Sequence, residues 1–442
     1  MAIMCTDINL FPFIQPTHPF HAHTERFQNL LNADPFYAEK MHMLNEGGPV
    51  QVHTLLRARL RPDRFWNLKG FHTSFQSRAI GPQADRQRPF HALTLFYTPQ
   101  ASQIDYWEFP QDPYVTGLAS VFGGERPQHN RLESGAAIDV LRYVPRLRLT
   151  FRAAALKQTG APAIGKVVRP AAAEGIYDRL VKVADTLARA ARSVPATFSV
   201  AAPLGIDPHD GIVFQELKPG KELSPLLNQD NFKRLLYDVG RIHRDLHCLN
   251  VPDLPAWDLD GFLRRLSTYI ECIAFFRPEQ RLFLDDVQDL LFRRVPHVDS
   301  RTYTFCHGDF SCHQILKDGD RWSVVDFDGC LRGDPLFEVA KLMASLKYNV
   351  PLFRDGFRDP TQRMEDRLEE ACESYVRGYE EQAQESVNQT RILWYRIAWE
   401  IHHLVRRFKR DQFHPVAFDR AIALIRDLSE QMRGESRQGD RS

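Results

Sequence analysis

The chain has 442 residues, 43% of them hydrophobic and 26% charged, with a formal net charge of +1. That is the composition of a soluble chain of two or three domain-sized units, able to bury a substantial core. A charge so near zero gives no general reason to expect nucleic acid or a membrane surface as a partner, and no apolar run approaches the ~18 residues of a membrane span. The seven cysteines are scattered from Cys5 to Cys372, and the start, Met-Ala-Ile-Met-Cys-Thr-Asp, lacks the basic and apolar regions of a secretion signal. Both features predict reduced thiols and a cytoplasmic protein.

Residues 1–49, rich in His, Phe and Pro, predict an N-terminal arm with a short helix near Phe27–Leu31. Residues 50–135 read as a β-rich extension or cap. Val52–Leu60 partly alternates, and His91–Tyr97 is β-branched and aromatic. Turn clusters at Gly81-Pro82-Gln83 and Gly123-Gly124 punctuate this stretch, and Glu125–Ser134 is a short polar connection. From 136 to 217 the pattern predicts a small unit of three strands (Ile138–Tyr143, Arg148–Arg152, Ala163–Val168), a helix over 172–192 and a further strand, Gly211–Leu217.

After Pro219-Gly220 the period turns helical, and 218–432 is predicted to be mainly α. Phe232, Leu235, Leu236, Val239, Ile242 and Leu246 share one helix face. Phe262–Leu291 reads as one or two helices, and 363–384 and 391–410 as amphipathic helices. Trp394, Ile397, Ile401, Leu404 and Phe408 form the apolar stripe of the last of these. The acids between Glu365 and Glu381, interleaved with Arg363, Arg367 and Arg377, read as a solvated helix face rather than a cation site. The tail, 433–442, is polar and predicted disordered.

The chemistry-bearing segment lies between Phe305 and Ala340. It reads Cys-His307-Gly308-Asp309-Phe-Ser-Cys-His-Gln314-Ile-Leu, then Trp-Ser-Val-Val-Asp326-Phe-Asp328, then Gly333-Asp334-Pro335. Here a loop carries one acid, an amide oxygen follows five residues on, and a second acid ends an apolar strand seventeen residues after the first. Phosphoryl transfer needs a positioned nucleophile and Mg²⁺ bridging the β- and γ-phosphates, with little covalent help from protein. Mg²⁺ takes hard oxygen ligands, few of them from protein. Asp326 and the Gln314 carbonyl suit that demand, which leaves Asp309 as the base. Asp328 is a candidate secondary metal contact, and Asp334 before Pro335 reads as a helix N-cap. Cys306, His307, Cys312, His313 and Cys330 cluster, but their spacing matches no common zinc pattern, and buried thiols with a loop histidine are expected instead.

This segment resembles the aminoglycoside phosphotransferase and choline kinase superfamily, whose pattern is His-x-Asp-x-x-x-x-Asn, a strand ending in Asp-Phe/Leu-x, and often Gly-Asp-Pro. Gln314 stands in place of the Asn, as in maltokinase-like members, keeping the amide oxygen and adding a methylene. The resemblance covers roughly 136–430 and implies an α+β, two-lobed protein-kinase-like fold: a β-rich small lobe, a mainly helical large lobe and, in this chain, an N-terminal β-rich extension. It implies ATP and Mg²⁺ as cofactors, ATP held between the lobes, and a small-molecule hydroxyl acceptor such as an aminoglycoside, another amino alcohol or a sugar.

By the same resemblance Lys166 would neutralise the α- and β-phosphates, with Glu174 or Asp178 as its acidic partner. The Tyr143–Leu149 loop holds no glycine, so backbone amides alone would not cradle phosphate. Arg148, and after it Arg146, could supply guanidinium contacts. Backbone groups around Glu216 and Leu217 would hold adenine, and His307 would support its loop. A kinase-fold binding or regulatory module without turnover, and a protein-directed kinase, remain as alternatives. His243-Arg244-Asp245-Leu246-His-Cys-Leu-Asn250 copies a protein-kinase catalytic-loop signature, yet it completes an amphipathic helix and is expected to be a coincidence.

Overall fold

The computed structural model describes residues 51–62, 68–80, 91–98, 103–123, 131–133, 135–192, 196–408 and 414–439, with the isolated helical positions Ala22, Glu25, Arg26 and Asn29. Within the expected arm only those four positions are described, and Asn29 falls in the helix expected near Phe27–Leu31; the rest of the arm and most of the 125–134 connection lie outside the described residues. The architecture is α+β. The chain divides into two compact units. One takes in the described residues of Met1–Tyr177, Pro203–Leu217 and Arg406–Phe413, and the other those of Asp178–Ala202, Lys218–Val405 and His414–Ser442.

The first unit begins with an antiparallel meander of β1 (Gln51–Pro62), β2 (Leu68–Ile80), β3 (His91–Thr98) and β4 (Gln103–Glu108), which forms a sheet of its own. A short helix, α1 (Leu118–Phe122), follows. The second sheet contains β5 (Ile138–Val144), β6 (Arg148–Ala153) and β7 (Ala163–Val168). Next along the chain come helix α2 (Pro170–Ala190) and the two-residue β8 (Ser199–Val200). β9 (Pro203–Asp207) and β10 (Ile212–Glu216) complete the second sheet, in the order β5-β6-β7-β10-β9. β9 escapes sequence reading because Pro203 and Gly205 interrupt its pattern. It lies at the sheet edge, where proline is tolerated.

The end of the N-terminal extension is part of this sheet's core. Val115, Leu118 and Val121 pack with Val140, Tyr143, Leu149, Phe151, Val167, Ile212 and Phe214, all buried. Buried Asp112 then pins the β5–β6 turn, with its Oδ2 accepting from Tyr143 O–H at 2.8 Å and from Arg146 N–H at 2.7 Å. Burial, reinforced by the Asp112 charge, pushes the Tyr143 phenol up, so it remains a donor. Arg146 adopts φ 66° there, and its guanidinium lies 4.1 Å from the Tyr114 ring centroid.

In the second unit β8 pairs in parallel with β14 (Arg321–Val324), and β11 (Lys221–Glu222) with β13 (Ile315–Asp318), giving the order β11-β13-β14-β8. β12 (Thr304–Cys306) pairs with β15 (Leu331–Gly333). The rest is helical: α3 (Phe232–His247), α4 (Leu259–Phe276), α5 (Arg281–Arg293), α6 (Pro335–Asn349), α7 (Pro351–Arg358), α8 (Glu365–Ala383), α9 (Gln389–Phe408) and α10 (Pro415–Gly439). Pro278 separates α4 from α5, since proline cannot continue a helix interior. Both predicted apolar stripes, Phe232 to Leu246 on α3 and Trp394 to Phe408 on α9, are buried. Among the acids of α8, Glu370 forms an ion pair with Lys233 and Glu369 one with Arg396. Of the tail expected to be disordered from 433, the described residues to Gly439 continue helix α10. Among the described residues no helix is long and apolar enough to cross a membrane.

Asp112→Ala would leave three donors of the first unit, Tyr143 O–H and the N–H groups of Arg146 and Tyr114, without their acceptor. Its denaturation midpoint is expected to fall by the equivalent of about 1–3 kcal/mol, measurable by urea titration. A loss under about 0.5 kcal/mol, the level of an ordinary surface change, would mean that this carboxylate does not hold the turn.

Candidate active site

The His307–Gln314 loop leaves β12 through Gly308, whose φ is +82°. A Cβ there would lie 2.0 Å from the Gly329 carbonyl oxygen, so both conformation and space demand glycine. The Val325 peptide then ties this loop to the end of β14. His307 Nε2–H donates to the Val325 carbonyl at 2.9 Å, and Val325 N–H donates to the Gln314 carbonyl at 2.9 Å. His307 Nδ1 in turn accepts from Asp309 N–H at 3.3 Å, which fixes the tautomer. His307 is fully buried and acts through these bonds, as expected.

Asp326 follows in the left-handed region (φ 73°, ψ 56°), which aspartate tolerates better than most residues. Its Oδ2 lies 3.4 Å from Gln314 Nε2. Rotation of the Gln314 amide plane exchanges its nitrogen and oxygen, so the pair can present two hard oxygens to one cation and fits Mg²⁺. Asp328 sits in the short 3-10 turn that follows. Asp334 caps α6 through Leu336 N–H at 3.0 Å, with Pro335 in the first turn, and accepts from Tyr395 O–H at 2.8 Å. Cys306, Cys312 and Cys330 are buried, and burial pushes the Cys312 and Cys330 thiols up to about 12.

The remaining expected site residues belong to the first unit. Lys166 lies in the middle of β7 opposite Thr150 and Val213, with only 4% of its surface exposed. Arg148 opens β6, and Glu216 and Leu217 end β10 and its continuation. The glycine-free turn has no amide to spare: Pro145 carries none, Arg146 N–H goes to Asp112, and Leu147 N–H to the Val144 carbonyl. Of the two acids considered for Lys166, Asp178 pairs with Lys182 at 2.9 Å, and Glu174 is exposed on α2.

Beneath the loop lies a feature that sequence reading missed. Fully buried Glu338, one turn into α6, accepts from His307 N–H (2.8 Å), Gly308 N–H (2.6 Å) and Phe310 N–H (3.5 Å). His243 and His247 of α3 each place Nε2 at 3.2 Å from Glu338 Oε2. Their Nδ1 atoms accept from Tyr375 and Tyr379 of α8, the latter at 2.8 Å. The helices meet closely enough for this because Gly240 and Gly378 face carbonyls across the contact. A Cβ on Gly240 would fall 2.1 Å from Tyr375 O, and one on Gly378 2.0 Å from Tyr237 O. Among the described residues this trio is the only group able to gather three ligand atoms on a metal. Both Glu338 oxygens are already saturated by N–H donors, however, so it reads as a hydrogen-bonded anchor.

Charge follows from burial. Desolvation, with the neighbouring His247, pushes His243 down to about 3 despite the pull of Glu338. Desolvation of Glu338 is outweighed by hydrogen bonds from His243 and His247, and its carboxyl is held well below the usual range. The trio is therefore a carboxylate that accepts from the neutral His243 imidazole and from His247 Nε2–H. The signature-like Asp245 belongs to helix α3, with Thr197 O–H and Gln382 N–H donating to it at 2.6 Å each. It takes no part in the loop, but its neighbour His243 stacks on Phe310 at 3.8 Å. The available signal was polar residues continuing a buried stripe: His243 and His247 follow Leu236 and Gly240 at helical spacing.

A model of the phosphotransferase enzyme family matches residues 147–379, just over half of the chain. The chain belongs to this family. The matched stretch runs from the β5–β6 turn to Tyr379, the partner of His247, so the phosphotransferase core contains the loop, the Asp326 strand and the anchor beneath them. Among solved structures the chain is similar to a choline/ethanolamine kinase family protein from Mesorhizobium loti, at 16% identity over 72% of this chain and 93% of that one, TM-score 0.42. It is also similar to choline kinase from Cryptosporidium parvum Iowa II (12%, 74% and 96%, TM-score 0.45). A third is the streptomycin-ATP-APH(2″)-IIa ternary complex (13%, 67% and 93%, TM-score 0.41). No curated protein matches.

The anchor predicts a pH dependence. Below the ordinary His value of ~6.5 the unfolded chain binds a proton that folded His243 refuses until about 3. Stability therefore falls on acidification through that window, by at most about 1.4 kcal/mol per pH unit for this group. Denaturant titrations of this phosphotransferase at several pH values should show that slope. His243→Gln should be less stable at neutral pH and show a shallower slope; parallel curves would assign the titration elsewhere.

Proposed function

We propose that this phosphotransferase moves the γ-phosphoryl group of ATP, with Mg²⁺, to a hydroxyl of a small molecule. The observation that carries the reading is the Val325 tie, which sets Asp309, Gln314 and Asp326 on one hydrogen-bonded frame in the second unit. Asp309 orients the acceptor hydroxyl. As the hydroxyl oxygen bonds to the γ-phosphorus and the β–γ bridging bond breaks, its proton passes to the Asp309 carboxylate and ADP departs. Asp326 and the Gln314 amide oxygen would hold the cation, which would supply charge neutralisation for the transferring phosphoryl group. Lys166 with Arg148 is assigned the α- and β-phosphates, and the backbone of Glu216 and Leu217 the adenine edge. Aminoglycosides, amino alcohols and sugars are the acceptor classes proposed, and the cytoplasm is the proposed compartment.

Mass spectrometry of a metabolite extract incubated with the protein and Mg-ATP tests this directly: a metabolite should gain one phosphoryl group. Phosphate found only on protein would favour a protein-directed kinase, and absence of ADP release a silent binding module.

Asp309→Asn is expected to lower turnover by a factor of about 100 or more while leaving Mg-ATP affinity nearly unchanged. Asp245→Asn, compared at matched stability, should keep most of the activity. Interchanged phenotypes would place the chemistry on the α3 motif. Calorimetry offers a second check, because ATP should bind much more weakly in EDTA than with Mg²⁺; equal affinities would remove Asp326 and Gln314 as cation ligands.

A further inference from the structure

We propose that Lys341 is a positioning residue for Asp309, holding that carboxylate in its working orientation from beneath the loop. The inference rests on the reading of Asp309 as the acceptor-side base. Lys341 lies on α6 one turn beyond Glu338, so the two side chains share a face. Its Nζ donates to Asp309 Oδ1 at 2.8 Å and to the Gly308 carbonyl at 2.6 Å. Gly308 is thus clasped on both sides by α6, its N–H by Glu338 and its carbonyl by Lys341.

The two partners differ sharply in exposure. The Asp309 side chain is 56% exposed, whereas that of Lys341 is 8% exposed. An exposed aspartate left to itself samples its rotamers, and the misplacement of a reacting group by about 1 Å can slow a reaction about 100-fold. The ammonium that restrains it is enclosed. Nζ lies 5.2 Å from the centroid of the Trp399 ring, and that ring is fixed by its own Nε1–H, which donates to the Phe337 carbonyl at 3.0 Å. With its contacts directed to Gly308, Asp309 and the Trp399 face, Lys341 acts on the reaction through Asp309 rather than on the phosphates.

The test compares Lys341→Met, Lys341→Arg, Asp309→Asn and the double variant Asp309→Asn/Lys341→Met in the full chain. ADP release from Mg-ATP in the presence of the metabolite extract is the activity. Lys341→Met should lower kcat about 10-fold or more and leave KM for ATP within about twofold. Lys341→Arg should restore part of the loss. The double variant should be no slower than Asp309→Asn alone, because both changes act on one carboxylate. A Lys341→Met kcat within about twofold of the parent, or penalties that multiply in the double variant, overturns the proposal. If Lys341→Met fails to fold, ¹⁵N-labelled lysine in the parent protein decides. A slowly exchanging ammonium signal that is lost or shifted in Asp309→Asn supports the contact, and an ammonium spectrum unchanged by that substitution refutes it. Near-normal turnover by Asp309→Asn would instead sink the reading of Asp309 itself, whereas an inactive Asp309→Asn beside a fully active Lys341→Met sinks only the role of Lys341.

Discussion

The carboxylate of Glu338 has no access to water, and the geometry of the second unit's loop follows from how that charge is satisfied. An unpaired buried carboxylate costs several kcal/mol, so it must collect donors. It finds the main-chain N–H groups of His307, Gly308 and Phe310 on one side and two imidazoles on the other. Those three amides belong to a segment with no regular ladder to satisfy them. The acid thus meets the loop's hydrogen-bonding requirement while the loop meets the acid's, and the backbone around Asp309 is held without strand or helix geometry. Lys341 extends the arrangement to the Gly308 carbonyl, so one face of α6 binds both main-chain polar groups of a single residue, Gly308.

The imidazoles depend in turn on a helix contact. Two glycines, Gly240 and Gly378, bring the backbones of α3 and α8 within reach, and each would drive a Cβ into a carbonyl if replaced. This closeness sets His243 against Tyr375 and His247 against Tyr379, four residues apart on both helices. Burial keeps both phenols protonated, Tyr375 well above its usual range and Tyr379 likewise raised. The direction of every hydrogen bond in the column then follows: tyrosine donates to Nδ1, and Nε2–H donates to the carboxylate. A polar column inside an apolar bundle is stable only when every member is satisfied, and here the donors and acceptors alternate from α8 through α3 to α6.

The same column explains how a protein-kinase-like signature came to sit on α3 without being a catalytic loop. His243 is required by Glu338 and by stacking on Phe310, and Asp245, two residues on, points to Thr197 and Gln382. The letters match by coincidence as a loop motif, but the histidine within them is tied to the site from below. In the first unit a comparable economy appears at Asp112, where one carboxylate from the N-terminal extension orders a turn that lacks glycine.

Short-range pattern was enough for much of this protein. Alternation marked β5, β6, β7 and β10, helical spacing marked the buried stripes of α3 and α9, and Asp334-Pro335 marked the start of α6. All of these depend on neighbours within a few residues, and local sequence records them. The spacing of Asp309, Gln314 and Asp326 also singled out the segment that the structure assembles around Val325. Tertiary structure alone decided what surrounds that segment. Glu338 is about thirty residues from the amides it binds, and His243 and His247 are more than ninety from Glu338. Nothing in a local period says which buried acid meets which imidazole, or that Lys341, one more cation on a helix, lies beneath Asp309. Those pairings are set by the depth at which α3, α6 and α8 pack, which a few glycines control, and they exist only once the chain has closed on itself.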